Sequence, residues 1–311
     1  MWSIPKMRKN KIYSKIDLIP KGKSSDITTK GCMCLEGGAF RGTYTAGVLD
    51  FLMQNDINLD TTIGISAGSL CGMLYVSGDI GRAGRINLLY RHDNRYVGLK
   101  AYPKNKGLIG FDFCLNDVNR ELPFDAERFY GTKRRFLAVA TDIENGKATY
   151  FEKGKCSDIL KAVQASASMP YISRPVNVDG RLYLDGGVSC KVPYRYALEH
   201  GFEKIVVIMT RQKGYRKTSS KASIEYAKIC YFRHPEFAIK LGHSADNANL
   251  EYDEVDRLGK EGRIFVIYPR KPIEISRLEG DMEKLGSLYF DGYEDARYYL
   301  PQLKEYLYGR D

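Results

Sequence analysis

Histidine is scarce in this sequence, with four residues among 311. His92 stands in the charged run Arg91-His92-Asp93-Asn94, His200 precedes Gly201 at what reads as a helix end, His234 precedes Pro235, and His243 lies in a polar helical stretch. None stands in a loop directly after a buried strand, where the histidine of a Ser-His-Asp triad belongs. Long apolar runs are missing too; none approaches the roughly 18 to 20 residues that span a bilayer. The basic N-terminus (Lys6, Arg8, Lys9, Lys11) is followed by no continuous apolar stretch, which argues against a secretory signal. The seven cysteines, at 32, 34, 71, 114, 156, 190 and 230, form no C-x-x-C, and no histidine stands at ligand spacing from any of them. An odd count without metal spacing leads us to expect a reduced, cytoplasmic chain with no metal and no cofactor.

What is present describes an ordinary globular protein: 43% hydrophobic and 28% charged residues, enough chain for one large core or two modest ones. The formal charge of +10 is unevenly placed. Residues 1–30 carry eight Lys/Arg against Asp17 and Asp26, residues 82–106 seven against Asp93, and residues 211–240 eight against Glu225 and Glu236. Such runs read as solvated surface or as a face drawn to anionic lipid headgroups or nucleic acid. We expect no nucleic-acid partner, and peripheral contact with anionic membranes, at the inner membrane surface, as the functional form of the basic face.

Residues 1–30 read as a basic, polar extension. From Gly31 the pattern alternates strand and helix: strands at 32–35, 61–65, 136–141, 148–151, 182–184 and 204–209, and helices at 43–54, 67–76, 157–167 (Ser157 as N-cap) and 193–200. Residues 79–130 read as irregular, an insertion bordering the site. The alternation predicts an open, mostly parallel α/β sheet with its ligand at the carboxyl ends of the strands. We place a catalytic domain at residues 31–215. A mostly helical C-terminal extension at 216–311 follows, holding one more strand at 263–268 and a tyrosine-rich helix at 276–308 whose tyrosines pack it onto the body.

The chemistry is concentrated in three short blocks. Gly64-Ile65-Ser66-Ala67-Gly68 is a G-x-S-x-G at a strand-to-helix junction, the pattern of a nucleophile elbow, with Gly64 and Gly68 allowing the tight turn and the following helix N-terminus favouring negative charge. A serine needs a base, and with no suitable histidine the candidate is Asp185, which leaves a short strand for Gly186-Gly187. A carboxylate in a dry site is basic enough to take the serine proton; the plain alternative is an Asp-Gly turn. Upstream, Glu36-Gly37-Gly38-Ala39-Phe40-Arg41-Gly42 follows a strand and precedes a helix, so the N–H groups of Gly37, Gly38 and Ala39 can line an oxyanion hole with Arg41 adding positive charge. It is not a phosphate loop, because Thr43 rather than Lys follows Gly42, and Ala39 replaces the second glycine of a dinucleotide fingerprint.

Gly37 to Gly42, Gly64 to Gly68, Asp185-Gly186-Gly187, and the small-residue run Ala165-Ser166-Ala167-Ser168-Met169-Pro170 with Pro175 beyond it resemble, in order, the blocks of the patatin-like phospholipase family. The likeness spans about residues 31–212. It implies a three-layer α/β/α fold, a Ser66–Asp185 dyad, an oxyanion hole around Gly37, Gly38 and Arg41, and metal-free hydrolysis of lipid acyl esters. Many members carry a third glycine where this chain has Ala39, which leaves the N–H in place but makes a positive φ harder to adopt. The sequence leaves two alternatives, a soluble esterase or thioesterase with the same dyad, and a non-catalytic docking or regulatory protein on the same fold. Headgroup preference and oligomeric state are not legible.

Overall fold

A computed structural model describes residues 11–309. The ten residues before them, which include the most basic part of the expected N-terminal extension, lie outside the described residues. Ten strands are formed in chain order: β1 (Gly22–Lys23), β2 (Thr29–Leu35), β3 (Leu59–Ile65), β4 (Asp79–Ile80), β5 (Arg135–Asp142), β6 (Ala148–Glu152), β7 (Val176–Val178), β8 (Arg181–Asp185), β9 (Ile205–Ile208) and β10 (Phe265–Ile267). β1 and β4 make a small antiparallel pair, and the other eight form one sheet in the order β10-β9-β2-β3-β5-β8-β7, with β6 also on β5. From β10 to β5 every pairing is parallel, whereas β6, β7 and β8 are antiparallel to their neighbours.

Both faces of the sheet are covered, as parallel strands require, and the period of two along each strand decides which side chain meets which layer. Met33 and Leu35 of β2, with Val206 and Ile208 of β9, face the helices Gly42–Gln54 and Met282–Tyr308. Cys32 and Cys34, with Val207, Ile63 and Val139, face the opposite layer, which includes Tyr194, Ala197, Ala248 and Val255. The result is the three-layer α/β/α arrangement with a largely helical C-terminal region, and that region also contributes β10 to the sheet edge. Its last helix crosses the first one with backbones almost touching. A Cβ on Gly47 would lie 2.0 Å from the carbonyl oxygen of Tyr289, and one on Gly292 would lie 2.1 Å from that of Tyr44.

Several expectations need correction. Residues 79–130 are not irregular; they hold the helix Arg82–Tyr90 and short helices at Tyr102–Asn105, Phe111–Leu115 and Ala126–Gly131. The helix expected from Ser157 runs Ile159–Ser166, and its cap is Asp158, whose side chain accepts from the Lys161 N–H. The stretch 11–30 is not merely a polar extension, since Tyr13 and Ile19 are buried in the core that faces the last helix. Of the tyrosines in that helix, Tyr289 is fully buried while Tyr298 and Tyr308 are exposed.

One feature of the sheet positions the site. β3 lies along β5 only as far as Ile65, opposite Val139. β6 fills the far edge of β5 from Leu137 to Thr141, so β8 must take the edge that β3 vacates, with Asp185 opposite Ala140. Two strands running in opposite directions thus end against each other along one neighbour. Ser66 leaves the end of one and Asp185 closes the other.

Candidate active site

Ser66 is the turn between β3 and the helix Ala67–Ser77, and it holds φ 55° and ψ −124°. A non-glycine residue in that region stores strain on the order of 1–3 kcal/mol. The surroundings hold it there. Its carbonyl accepts from Ser69 Oγ at 2.7 Å, and its N–H donates to Ser166 Oγ at 2.9 Å. The flanking glycines are needed for close approach, since a Cβ on Gly64 would lie 2.5 Å from the Gly68 carbonyl oxygen and one on Gly68 would lie 2.6 Å from that of Leu35.

Ser66 Oγ donates to Asp185 Oδ2 at 2.7 Å. The other carboxylate oxygen, Oδ1, accepts from the Gly187 N–H at 2.7 Å, which fixes the plane of the group. The Asp185 N–H donates to the Ser168 carbonyl at 2.8 Å, and Thr141 Oγ1 donates to the Asp185 carbonyl at 2.9 Å. Both side chains are 7% exposed. Burial raises the Asp185 pKa above the ordinary carboxylate value, against the lowering effects of Ser66, the Gly187 N–H, Lys191 and Arg277. A buried carboxylate of raised basicity, bonded to a serine hydroxyl, is chemically equipped to accept its proton.

The glycine turn lies directly against the serine, so that a Cβ on Gly37 would be 2.9 Å from Ser66 Cβ. Ala39 is forced to φ 50°, the conformation that glycine adopts freely and alanine does not. Phe40 N–H donates to the Arg277 carbonyl and Arg41 N–H to that of Gly38. The N–H groups of Gly37, Gly38 and Ala39 meet no acceptor among the described residues, nor does that of Ala67 at the head of the elbow helix. The Arg41 guanidinium is only 6% exposed and its Nε has no hydrogen-bond partner.

Two cavities meet at Ser66. One is apolar and runs between the elbow helix and the segment 79–130, lined by residues that include Leu70, Met73, Leu74, Ile86, Phe111 and Leu115. The other lies on the Asp185 side and is mixed, with the charged residues Glu36, Arg41, Asp185, Lys191, Lys217 and Arg277 set among apolar walls that include Pro170, Ile172, Val188 and Leu241. Ala39, Met169 and Leu278 border both. None of the four histidines lines either cavity.

The description "Patatin-like phospholipase" matches residues 33–198, more than half of the chain. The chain belongs to this family. Residues 234–308 match a second description, a domain of unknown function, DUF6363. Among relatives, the Escherichia coli protein YjjU, described as uncharacterized, is 26% identical over 272 residues, covering 85% of this chain and 75% of its own length. The probable lipid hydrolase 463L of Invertebrate iridescent virus 6 is 29% identical over 189 residues, 55% of this chain and 64% of that protein. An NTE family protein of Mycobacterium bovis, Mb1092c, also described as uncharacterized, is 40% identical over 162 residues, 52% of this chain and 43% of its own. The match therefore spans less than two thirds of the viral and mycobacterial relatives. The solved structure of VipD from Legionella pneumophila aligns with 96% of this chain and 72% of its own at 14% identity and a TM-score of 0.47.

In this patatin-like chain the structure brings together all the residues that the sequence singled out, and adds others that no local pattern marks. Ser166 and Ser168, at the end of the helix Ile159–Ser166, hold the backbones of Ser66 and Asp185 respectively. The small-residue run containing them was legible, but not its task. Lys191, Lys217 and Arg277 carry no motif and come to the site only through the fold.

Proposed function

We propose that this protein is a serine acylhydrolase that cleaves lipid acyl esters through a Ser66–Asp185 dyad. The observation that carries the reading is the 2.7 Å bond from Ser66 Oγ to Asp185 Oδ2, set at the junction with an apolar cavity suited to an acyl chain. In the reaction Asp185 Oδ2 accepts the hydroxyl proton as Ser66 Oγ bonds to the ester carbonyl carbon. The carbonyl oxygen becomes an oxyanion facing the unpaired N–H groups of Gly37, Gly38 and Ala39, with the charge of Arg41 nearby. Collapse breaks the ester C–O bond, and the departing alcohol oxygen takes the proton from Asp185, leaving acyl-Ser66. Water then attacks the acyl carbon, giving its proton to Asp185, which returns it to Ser66 Oγ as the fatty acid leaves.

A fluorophosphonate probe should add to Ser66, detected as an intact-mass shift that disappears in Ser66→Ala. Ser66→Ala and Asp185→Asn should each abolish ester turnover with the fold retained by circular dichroism. Near-native turnover by Asp185→Asn would sink the dyad. Comparing p-nitrophenyl butyrate with phospholipid vesicles separates the lipid reading from a soluble esterase or thioesterase with the same dyad. Absence of both labelling and turnover leaves the non-catalytic docking reading.

Peripheral membrane contact is part of the proposal and rests on the helical hairpin Lys221–Cys230 and Pro235–Gly242. Ile229 and Phe232 there are 71% and 72% exposed, and their sequence neighbours Lys228, which pairs with Glu225, and Arg233 are exposed too. Leu241 of the hairpin lines the cavity on the Asp185 side, and Tyr226 packs on Tyr171 of its wall. Apolar side chains among cations suit an anionic bilayer, with the site held at its surface.

A further inference from the structure

The cavity on the Asp185 side has a charge pattern that the dyad does not require. Arg41, Lys191, Lys217 and Arg277 stand on its walls with Glu36 and Asp185. Both carboxylates are already engaged. Glu36 Oε1 accepts from Tyr252 at 2.6 Å, and its Oε2 accepts from the Thr210 N–H at 2.6 Å and hydroxyl at 3.0 Å. Asp185 is taken up by Ser66 and Gly187. Glu251, behind Lys191, accepts from the N–H groups of Lys191 and Val192.

No carboxylate lies within ion-pair distance of the four cations among the described residues. Arg41 is the most telling, because a guanidinium this deeply buried with an unpartnered Nε is costly unless an anion completes it. Burial, with Arg211 and Arg277 close by, lowers its pKa to about 10. Lys217 is pushed down to about 7 by burial and by the charges of Lys191, Arg277 and Arg41, partly offset by Glu36. Glu36, Asp185 and Glu251 offset part of this charge from a distance, but the four cations outnumber them.

We infer that this cavity is a phosphate subsite, in which Arg41, Lys191, Lys217 and Arg277 receive the phosphorylated alcohol half of the ester while the acyl chain occupies the apolar cavity across Ser66. The inference rests on the acylhydrolase reading for the identity of the ligand, not for the presence of the anion site. Its geometry follows from the two cavities meeting at one serine. In a glycerophospholipid the phosphate is only a few bonds from the acyl ester, so a carbonyl at Ser66 places it on the Asp185 side. Guanidinium and ammonium groups lining one cavity suit the oxygens of a phosphate. Lys217 and Arg277 lie outside the matched family segment, and Arg277 falls within the DUF6363 match. The C-terminal region thereby supplies the headgroup side of the site.

The test compares monomeric dihexanoyl phosphatidic acid with dihexanoylglycerol on the full chain, and measures binding of inorganic phosphate by calorimetry. The wild type should favour the phosphate-bearing ester at least tenfold in kcat/KM and bind inorganic phosphate. Lys217→Gln with Arg277→Gln should remove most of that preference through KM, and should weaken phosphate binding at least tenfold. The single exposed change Arg277→Glu guards against misfolding of the double variant and should act in the same direction. Equal use of the two esters by the wild type, or a preference that survives in both variants, overturns the assignment. Phosphate binding without any ester preference marks a site for free phosphate and overturns the headgroup assignment. If no ester is cleaved but phosphate binds and the variants abolish binding, the anion site stands and the acylhydrolase reading fails.

Discussion

The backbone N–H of Ser66 is held by the side-chain oxygen of Ser166, 2.9 Å away and 100 residues further along the chain. That bond pins a residue whose φ of 55° is otherwise unfavourable. Two residues on, the Ser168 carbonyl pins the N–H of Asp185. One helix end therefore sets the distance between the two partners of the proposed dyad. Ser166→Ala leaves a buried N–H without an acceptor, at about 1–3 kcal/mol. We expect kcat to fall roughly 10- to 100-fold with KM little changed, alongside a lower midpoint in urea denaturation. A fall in stability with kcat intact would reduce Ser166 to a structural role.

The pH profile follows from Asp185. Its pKa is raised by burial, and the protonated form cannot accept the serine proton. Activity should fall as pH falls through that raised value, placing the acid limb of kcat/KM above the ordinary aspartate value of about 3.9. Linkage gives a companion result. A group whose folded pKa is raised favours the native state fully only below its unfolded pKa, and that advantage is lost as pH rises through the folded pKa. At neutral pH the ionised Asp185 therefore opposes folding, and Asp185→Asn should be inactive yet at least as stable as the wild type. Thermal melts of the wild type and Asp185→Asn, followed from acid to neutral pH, check the sign.

Ala39 occupies a φ of 50°. A left-handed alanine is disfavoured by about 1–2 kcal/mol, while glycine has an entropic penalty of roughly 0.5–1 kcal/mol on folding. Ala39→Gly should leave stability unchanged or up to about 1 kcal/mol higher, and turnover should persist because the N–H remains. A marked loss of turnover would show that the alanine methyl, which borders both cavities, shapes the substrate path.

Membrane contact through the hairpin has its own readout. Phe232→Asp removes the apolar contribution of an exposed side chain, about 1.5–3 kcal/mol when fully buried. Sedimentation with anionic vesicles should fall at least tenfold, and wild-type binding should weaken as salt screens the surrounding cations. Binding indifferent to both salt and Phe232 places the contact elsewhere.

The serine, the aspartate and the glycine turn were legible because each is imposed by a local backbone demand, a tight turn or a close approach, that only a few residue types meet. The central strands were legible because a strand covered on both faces is a continuous apolar run, as in Ile205-Val206-Val207-Ile208. The cationic cavity was not, since Lys191, Lys217 and Arg277 sit in three separate segments and meet only in the folded chain. The basic run at 82–106 misled in another way. Arg82 and Arg85 are interior, their guanidinium groups bonded to Leu122 and Asn119 and to Ile19 and Pro20, so a cation count overstates the basic surface. Within 79–130 the helix Arg82–Tyr90 was hidden because two arginines, Arg82 and Arg85, stand on its buried face, and the others are too short to show a periodicity; adjacent Ser157 and Asp158 offer two equally good caps of which the fold uses one.

The crossing of Gly47 and Gly292 also sets an order of assembly. Leu285, Tyr289 and Leu303 share one apolar cluster with Met33, Leu35 and Phe51, so a sheet face made early is covered by a helix made much later. During synthesis the elbow serine emerges long before the helix Met282–Tyr308, with one side of its sheet still wet. Long-range closure of this kind is slow and leaves apolar surface open to other chains. A nascent copy must therefore wait for the helix Met282–Tyr308 before β2 is safe from aggregation.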